Sequence, residues 1–282
     1  MTDRDDLVRF LNEDIPAGDV TSDAIIPDIS CTAIIRAEQN GVIAGIEEAF
    51  MLFSYAGVTV TPHKNDGNRV RKGDVVVSLS GRAKNVLLVE RTALNILGRM
   101  SGIATRTAAM VAIVNAQNTS CRIAGTRKTC PGFRRFDKKA VQLGGGDPHR
   151  MNLSDGILIK DNHLALVPLG EALRAARHHY AYKKIEIEVE SAADAVKAAA
   201  AGADIIMLDN MTPGQVRETL SVLEEKGLRD RVTIEVSGGI EEESIRGYAA
   251  CGVDIISMGA LTHTVKNFSL SLEIQPVAPG TE

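Results

Sequence analysis

Residues 126–150 read TRKTCPGFRRFDKKAVQLGGGDPHR, with seven Lys or Arg, one His and two acids. The whole chain is acidic, with a formal net charge of -4, so this cluster calls for a local reason. Arg127, Lys128, His149 and Arg150 flank Pro and Gly turns at the ends of apolar segments. Cations at such turns suit fixed anion binding, with Arg supplying paired planar donors to a carboxylate. Arg134, Arg135, Lys138 and Lys139 differ, because they surround one helical turn beside Asp137. They read as the solvated face of a basic helix over residues 133–143. Gly144, Gly145 and Gly146 fit a phosphate cradle or a plain tight turn.

A second chemical segment is ILIKDNHL, residues 157–164. Lys160 follows an apolar run at a predicted strand end, where side chains in a parallel sheet reach a common mouth. His163 reads as a packed or helix-capping residue. In IEIEVE, Ile185, Ile187 and Val189 share one face and Glu186, Glu188 and Glu190 the other. A solvated edge strand would explain that pattern. If the strand is covered, the carboxylates lie inside and at least one needs a cation or polar ligand. Asp209 is a similar candidate, although an Asp before Asn-Met-Thr-Pro also serves to start a helix.

The elements that must carry these residues follow a regular rhythm in the second half. Strands are predicted at IEIEV (Ile185–Val189), DIIML (204–208), VTIEV (232–236) and DIISM (254–258). Helices are predicted at 191–201 and 212–226, with another opening at Glu241. Alternation of this length indicates βα units around a parallel sheet. Gly202 and Gly252 stand where helix ends need a left-handed residue. Polar residues end each strand: Glu188 and Glu190, then Asp209 and Asn210, then Ser237-Gly238-Gly239, then Ser257-Met258-Gly259. A barrel brings such ends to one mouth, and an open doubly wound sheet also binds ligands at its carboxyl ends. The first hundred residues read instead as a small antiparallel or mixed sheet with a helix over 44–55. A long helix near 84–115 follows, with a break expected at Ser101-Gly102. The tail QPVAPGTE is expected to fray.

Composition bounds the setting. At 282 residues, 44% hydrophobic and 24% charged, the chain is an ordinary globular one, as one large domain or two small ones. The N-terminus lacks a signal-peptide core and no apolar run is long enough to span a bilayer. Cys31, Cys121, Cys130 and Cys251 show no CxxC pairing and read as reduced thiols, which points to the cytoplasm. The acidic total and an aromatic share of 4% disfavour RNA binding.

Taken together, ERTALNILGRMSGIAT (90–105), GTRKTCPGFR (125–134), GGGDPHR (144–150), LIKDNH (158–163), LDN (208–210), EVSGGI (235–240) and ISMG (256–259) resemble, in order, the family of nicotinate-nucleotide pyrophosphorylase (carboxylating), or quinolinate phosphoribosyltransferase. NEDIPAGDVTSDAIIP (12–27) is similar to that family's opening. The resemblance implies an N-terminal α/β sandwich (1–104, with 265–282 packing back on it) and an incomplete α/β barrel (105–264) of the type II phosphoribosyltransferase kind. It implies a homodimer, a higher oligomer being open, with no nucleic-acid or membrane partner. The implied reaction joins quinolinate to phosphoribosyl pyrophosphate, giving nicotinate mononucleotide, pyrophosphate and carbon dioxide with Mg2+ in NAD biosynthesis. Thr126, Arg127, Lys128, His149, Arg150 and Lys160 match the dicarboxylate pocket, and Arg91 matches an arginine donated by the partner subunit. Glu188 and Asp209 match acids near the ribose and magnesium, and with Lys128 form the expected catalytic set. Ser237, Gly238, Gly239, Ser257, Met258 and Gly259, with Lys128 and Lys160, match the phosphate-binding positions. Gly125 and Cys130 depart from the usual Asp and Thr. The molybdenum-transport-associated branch, or a phosphoribosyltransferase acting on another pyridine carboxylate, is the alternative; an intact LIKDNH favours quinolinate.

Overall fold

The computed structural model describes residues 3–117 and 120–276. The chain divides into two units: Met1–Arg106 with Val265–Glu282, and Thr107–Thr264.

The first unit opens with α1 (Asp3–Asp14) and α2 (Val20–Ile25). Asp19 caps α2 by accepting the backbone N–H groups of Thr21 and Ser22. Next come β1 (Ser30–Ala37), β2 (Gly41–Val42), α3 (Ile46–Tyr55), β3 (Thr59–Pro62), β4 (Arg69–Val70), β5 (Val75–Arg82) and α4 (Ala83–Asn115), whose residues from Thr107 on belong to the second unit. The main sheet is antiparallel, ordered β12-β1-β5-β3, with β12 (Leu270–Pro276) returning from the far end of the sequence. Along β1, Cys31, Ala33, Ile35 and Ala37 are buried while the residues between them are exposed or half-buried. That alternation is the signature of a sheet packed on one face.

The expected break in α4 does not occur: the helix is continuous through Ser101-Gly102. These small residues serve packing instead. The Ser101 hydroxyl bonds both the N–H and the carbonyl of Ala44. At Gly102 a Cβ would overlap the Lys266 carbonyl oxygen, so glycine admits a close backbone approach. The fraying expected of the tail is not seen at Gln275 of β12, which pairs with Thr32 of β1; residues 277–282 lie outside the described residues.

The second unit carries six parallel strands, β6 (Arg122–Ala124), β7 (Ile157–Ile159), β8 (Ile185–Val189), β9 (Ile205–Asp209), β10 (Thr233–Ser237) and β11 (Ile255–Ser257). Their spatial order is β6-β11-β10-β9-β8-β7. Beyond β6 a single parallel bridge joins Ala124 to Asp147, so the ring is incomplete between β6 and β7. The helices are α5 (Arg134–Leu143), α6 (Asp161–Leu164), α7 (Leu169–His179), α8 (Ala192–Ala200), α9 (Pro213–Glu225), α10 (Ile245–Ala249) and α11 (Ala260–His263). Ser191 and Thr212 cap α8 and α9, and Gly202 and Gly252 take φ of +90° and +83°. The helix expected from Glu241 starts only at Ile245, because Glu241 and Ser244 close a turn first. No helix among the described residues is long and apolar enough to cross a membrane.

Register builds the interior. Glu188 and Glu235 both pair with Met207 across β9, and Ser237 pairs with Asp209. Ile187, Ile206, Ile234 and Ile256 are fully buried on the opposite strand faces. With a period of two, each strand therefore gives its branched apolar residues to one side and its charged residues to the other.

Candidate active site

The charged side opens into a cavity of about 430 Å3 at the carboxyl ends of the strands. Thr126, Arg127, Lys128, His149, Arg150, Lys160, Glu188, Asp209, Ser237, Gly238, Gly239 and Ser257 all line it. Residues from Thr126 to Ser257 thus meet in one hollow, and for Lys160, Glu188, Asp209, Ser237 and Ser257 this is what the strand-end argument requires.

Each wall has a local cause. The loop after β6 is held by Gly125 N–H donating to Asp147 O at 2.8 Å and by the Thr262 hydroxyl donating to Lys128 O at 2.8 Å. Lys128 is exposed, and the buried Nε of Arg127 has no hydrogen-bond partner among the described residues. Such a donor is open to an anion. Lys160 follows β7 and its Nζ lies 2.5 Å from Glu188 Oε2. Its backbone N–H donates to His163 Nδ1 at 2.9 Å, so His163 caps α6 as expected. Asp209 holds its proton more tightly than a free carboxylate, through burial and then the charge of Glu188. Asn210, at φ +54°, donates to Asp209 at 2.5 Å. Gly238, at φ +97°, leaves room for that Asn, which a Cβ would strike.

His149 has the most constrained position. Its φ is +55°, a left-handed conformation that costs a non-glycine residue energy and here is held by surrounding bonds. Its N–H donates to Asp147 Oδ1 at 2.8 Å, and Nε2 lies 3.2 Å from Glu235 Oε2 and 3.7 Å from Glu186 Oε2. Burial opposes the imidazolium, but the Glu235 bond and the charges of Glu235 and Glu186 outweigh it and raise the ring's proton affinity. Glu186 is itself raised, by burial first and then by the charge of Glu235. Arg150 is lowered, by burial and then by the nearby Arg127 charge.

Several expectations need correction. Lys138 is not on a solvated face: it is 1% exposed, its ammonium donates to the Pro148 carbonyl, and burial with the Arg134 charge lowers its pKa to about 8. Arg134 donates to the Thr129 hydroxyl and the Met151 carbonyl, while Arg135 and Lys139 are half-buried. The face of α5 beside Asp137 is therefore packed, and its amphipathic spacing misled because the apolar neighbours are few. Gly144–Gly146 form the turn that ends α5, where a Cβ at Gly146 would crowd Thr107 and Val141. Met258 and Gly259 are not in the cavity lining. The Met258 side chain is buried and its N–H donates to Ala124 O, while Gly259 begins α11. Glu190 lies past the end of β8 and is exposed. Arg91 is exposed on α4 in the first unit.

Glu186, one of the three carboxylates expected to need a cation or polar ligand, and Glu235, for which no role was expected, are 4% and 0% exposed. The signal was present in VTIEV and IEIEV, where a Glu alternates with branched apolar residues. With His149 they form a set of possible metal ligands whose atoms lie within 4.8 Å of one another. Glu188 and Asp209 offer a separate pair of carboxylates on the cavity wall, the hard oxygen ligands that suit magnesium.

The comparisons with known proteins agree along most of the chain. Residues 103–273 match the family described as Quinolinate phosphoribosyl transferase, C-terminal domain, and residues 19–101 its N-terminal domain. A probable nicotinate-nucleotide pyrophosphorylase (carboxylating) of Methanothermobacter thermautotrophicus is 46% identical over 274 residues, 96% of this chain and 98% of that protein. The crystal structure of NadC from Streptococcus pyogenes is similar at a TM-score of 0.90 and 37% identity, over 97% of this chain and 96% of that one. The nicotinate-nucleotide pyrophosphorylase structure from Francisella tularensis gives a TM-score of 0.90 at 34% identity, covering 96% and 97%.

Proposed function

Because the chain belongs to the quinolinate phosphoribosyl transferase family, we infer that its cationic cavity is where quinolinate meets phosphoribosyl pyrophosphate. The chain is a nicotinate-nucleotide pyrophosphorylase of the carboxylating kind, a phosphoribosyltransferase of NAD biosynthesis. One observation supports the site: Arg127, Lys128, Arg150 and Lys160, from separate segments, line the same hollow as Glu188 and Asp209.

Two multiply negative reactants repel each other in water, and fixed cations offset that repulsion. In this reading Arg127, His149, Arg150 and Lys160, with Thr126, surround quinolinate, and Arg91 of a second copy completes the pocket in a homodimer. Lys128 lies between the pyridine acid and the pyrophosphate. Ser237, Gly238, Gly239 and Ser257 receive the 5′-phosphate. The ring nitrogen forms its bond to the anomeric carbon as the bond to pyrophosphate breaks. In the transition state of that exchange the sugar carries oxocarbenium-like positive charge, which Glu188 and Asp209 stabilise. Those two carboxylates would hold Mg2+, whose contribution when bound is to neutralise the departing pyrophosphate. With the ring nitrogen now cationic, the adjacent carboxylate leaves as carbon dioxide, its bonding electrons stay on the ring carbon, and a proton takes its place. No side chain acts as a nucleophile; positioning and electrostatics supply the acceleration. The free thiols support a cytoplasmic setting.

The test is direct. Purified protein is mixed with quinolinate, phosphoribosyl pyrophosphate and magnesium, and nicotinate mononucleotide is followed, with nicotinate as the competing acceptor. Product from quinolinate alone is expected. Equal use of nicotinate would reject a pocket built for two carboxylates.

A further inference from the structure

Among the residues that border the cavity is a buried cluster to whose carboxylates no step above gives work. Its centre is Glu235, fully buried on β10, with Oε2 at 3.2 Å from His149 Nε2. The other ring nitrogen of His149 is also engaged, because the Arg150 backbone N–H donates to Nδ1 at 2.8 Å. An imidazole nitrogen that accepts a hydrogen bond carries no proton, so this geometry assigns the ring's proton to Nε2, donated to Glu235. Both nitrogens are therefore spent inside the protein, although the ring borders the cavity.

The register of the sheet fixes the carboxylate that receives this proton, since Glu235 pairs with Met207 of β9 and Ile255 of β11. The far end of the chain of bonds is Arg150, whose own guanidinium has, among the described residues, one long hydrogen bond, to Gly156 O at 3.4 Å. Arg150 therefore depends on its backbone for its placement. Because His149 sits at φ +55°, a turn of this kind relaxes unless something holds it. The groups facing the imidazole are Glu235 on β10, Glu186 on β8 and Lys138 on α5. Of these, Glu235 makes the hydrogen bond.

We propose that Glu235 is a positioning residue for quinolinate binding: it accepts the Nε2 proton of His149, the oriented ring pins the Arg150 N–H, and the Arg150 guanidinium is thereby presented to a substrate carboxylate. This deepens the quinolinate reading and rests on it. His149, itself in the cavity lining, thus also sets the backbone from which Arg150 reaches the acid.

Two variants separate reach from charge. Glu235→Gln keeps the length and an accepting oxygen but removes the charge; Glu235→Asp keeps the charge and shortens the reach. Steady-state kinetics would be measured for each with quinolinate and phosphoribosyl pyrophosphate varied in turn. Gln is expected to hold the quinolinate KM within about threefold of wild type, and Asp to raise it about tenfold or more, the loss of one well-placed hydrogen bond. The KM for phosphoribosyl pyrophosphate and kcat should stay near wild type in both, the mark of lost ground-state positioning. The reverse order, with Asp tolerated and Gln impaired, overturns the proposal in favour of charge, and two variants equal to wild type overturn it outright. A wild-type protein that does not turn over quinolinate overturns the functional reading and this inference with it.

Discussion

β1 of the first unit and β8 and β10 of the second alternate in the same way, yet their polar residues meet opposite fates. Along β1 the residues between buried Ala33, Ile35 and Ala37 are half-buried, and the Arg36 guanidinium meets the Gly73 carbonyl and the exposed Glu273. Along β8 and β10 the intervening Glu186 and Glu235 are as buried as the isoleucines beside them. A two-residue period says that a strand has two different faces. It does not say whether the polar face meets water or a cavity. The difference comes from closure: an antiparallel sheet covered on one side leaves its charges solvated, while a curled parallel sheet turns them inward. Charges turned inward need partners, so the same pattern becomes chemistry in one unit and solubility in the other.

The sharpest way to break this comparison is to remove cations from the inward side. Lys128→Ala and Arg127→Ala should each lower turnover with quinolinate by roughly 100- to 1000-fold, the usual loss for one preorganised charge contact. Titration of quinolinate by calorimetry should show weaker binding for Arg127→Ala. Turnover that survives with unchanged binding would make these cations as inert as rim charges.

A buried charge should also appear in the pH dependence of stability. Lys138 is held near a pKa of about 8, against an ordinary value of 10.5. Between these values the unfolded chain binds the extra proton, so stability rises with pH through this window and the penalty is fully present below it. The full difference is up to about 3 kcal/mol, at about 1.4 kcal/mol for each pKa step. Lys138→Met should therefore gain most over wild type at pH 7 and progressively less toward pH 10, in urea midpoints measured across that range. Parallel curves for the two proteins would show that Lys138 is solvated after all.

These contrasts also explain what the sequence disclosed. Strand and helix rhythm, glycine C-caps and the convergence of Lys160, Glu188 and Asp209 were legible because each depends on local periodicity and chain direction, while the place of Arg127 and His149 in the same pocket was what the family resemblance implied. Lys138 was misread because its burial depends on the loop at Pro148, which no helical wheel of α5 contains. The continuity of α4 was missed because glycine's tolerance of close approach looks, in one dimension, like a helix breaker. Glu235 was quoted within its motif but left idle, since only the sheet register and the turn at His149 bring the two together. Most of what escaped was a contact between distant segments; the late start of α10, behind the Glu241–Ser244 turn, was a local conformation.

The smallest expected effect tests the other side of the comparison. Glu273 on β12 lies 3.5 Å from Arg36 Nε, with the two side chains 50% and 30% exposed. It sits opposite Ile34 in the register, so Arg36 reaches it diagonally across the sheet. Water screens both charges and can replace either partner, and holding two long side chains in one geometry costs entropy. Glu273→Gln should shift stability by less than about 0.5 kcal/mol, with no change in kinetics and little response to salt, as read from urea midpoints at low and high ionic strength. A loss comparable to that of a buried pair would mean that the outer face of this sheet is covered in solution, and that its alternation had been concealing a second buried surface.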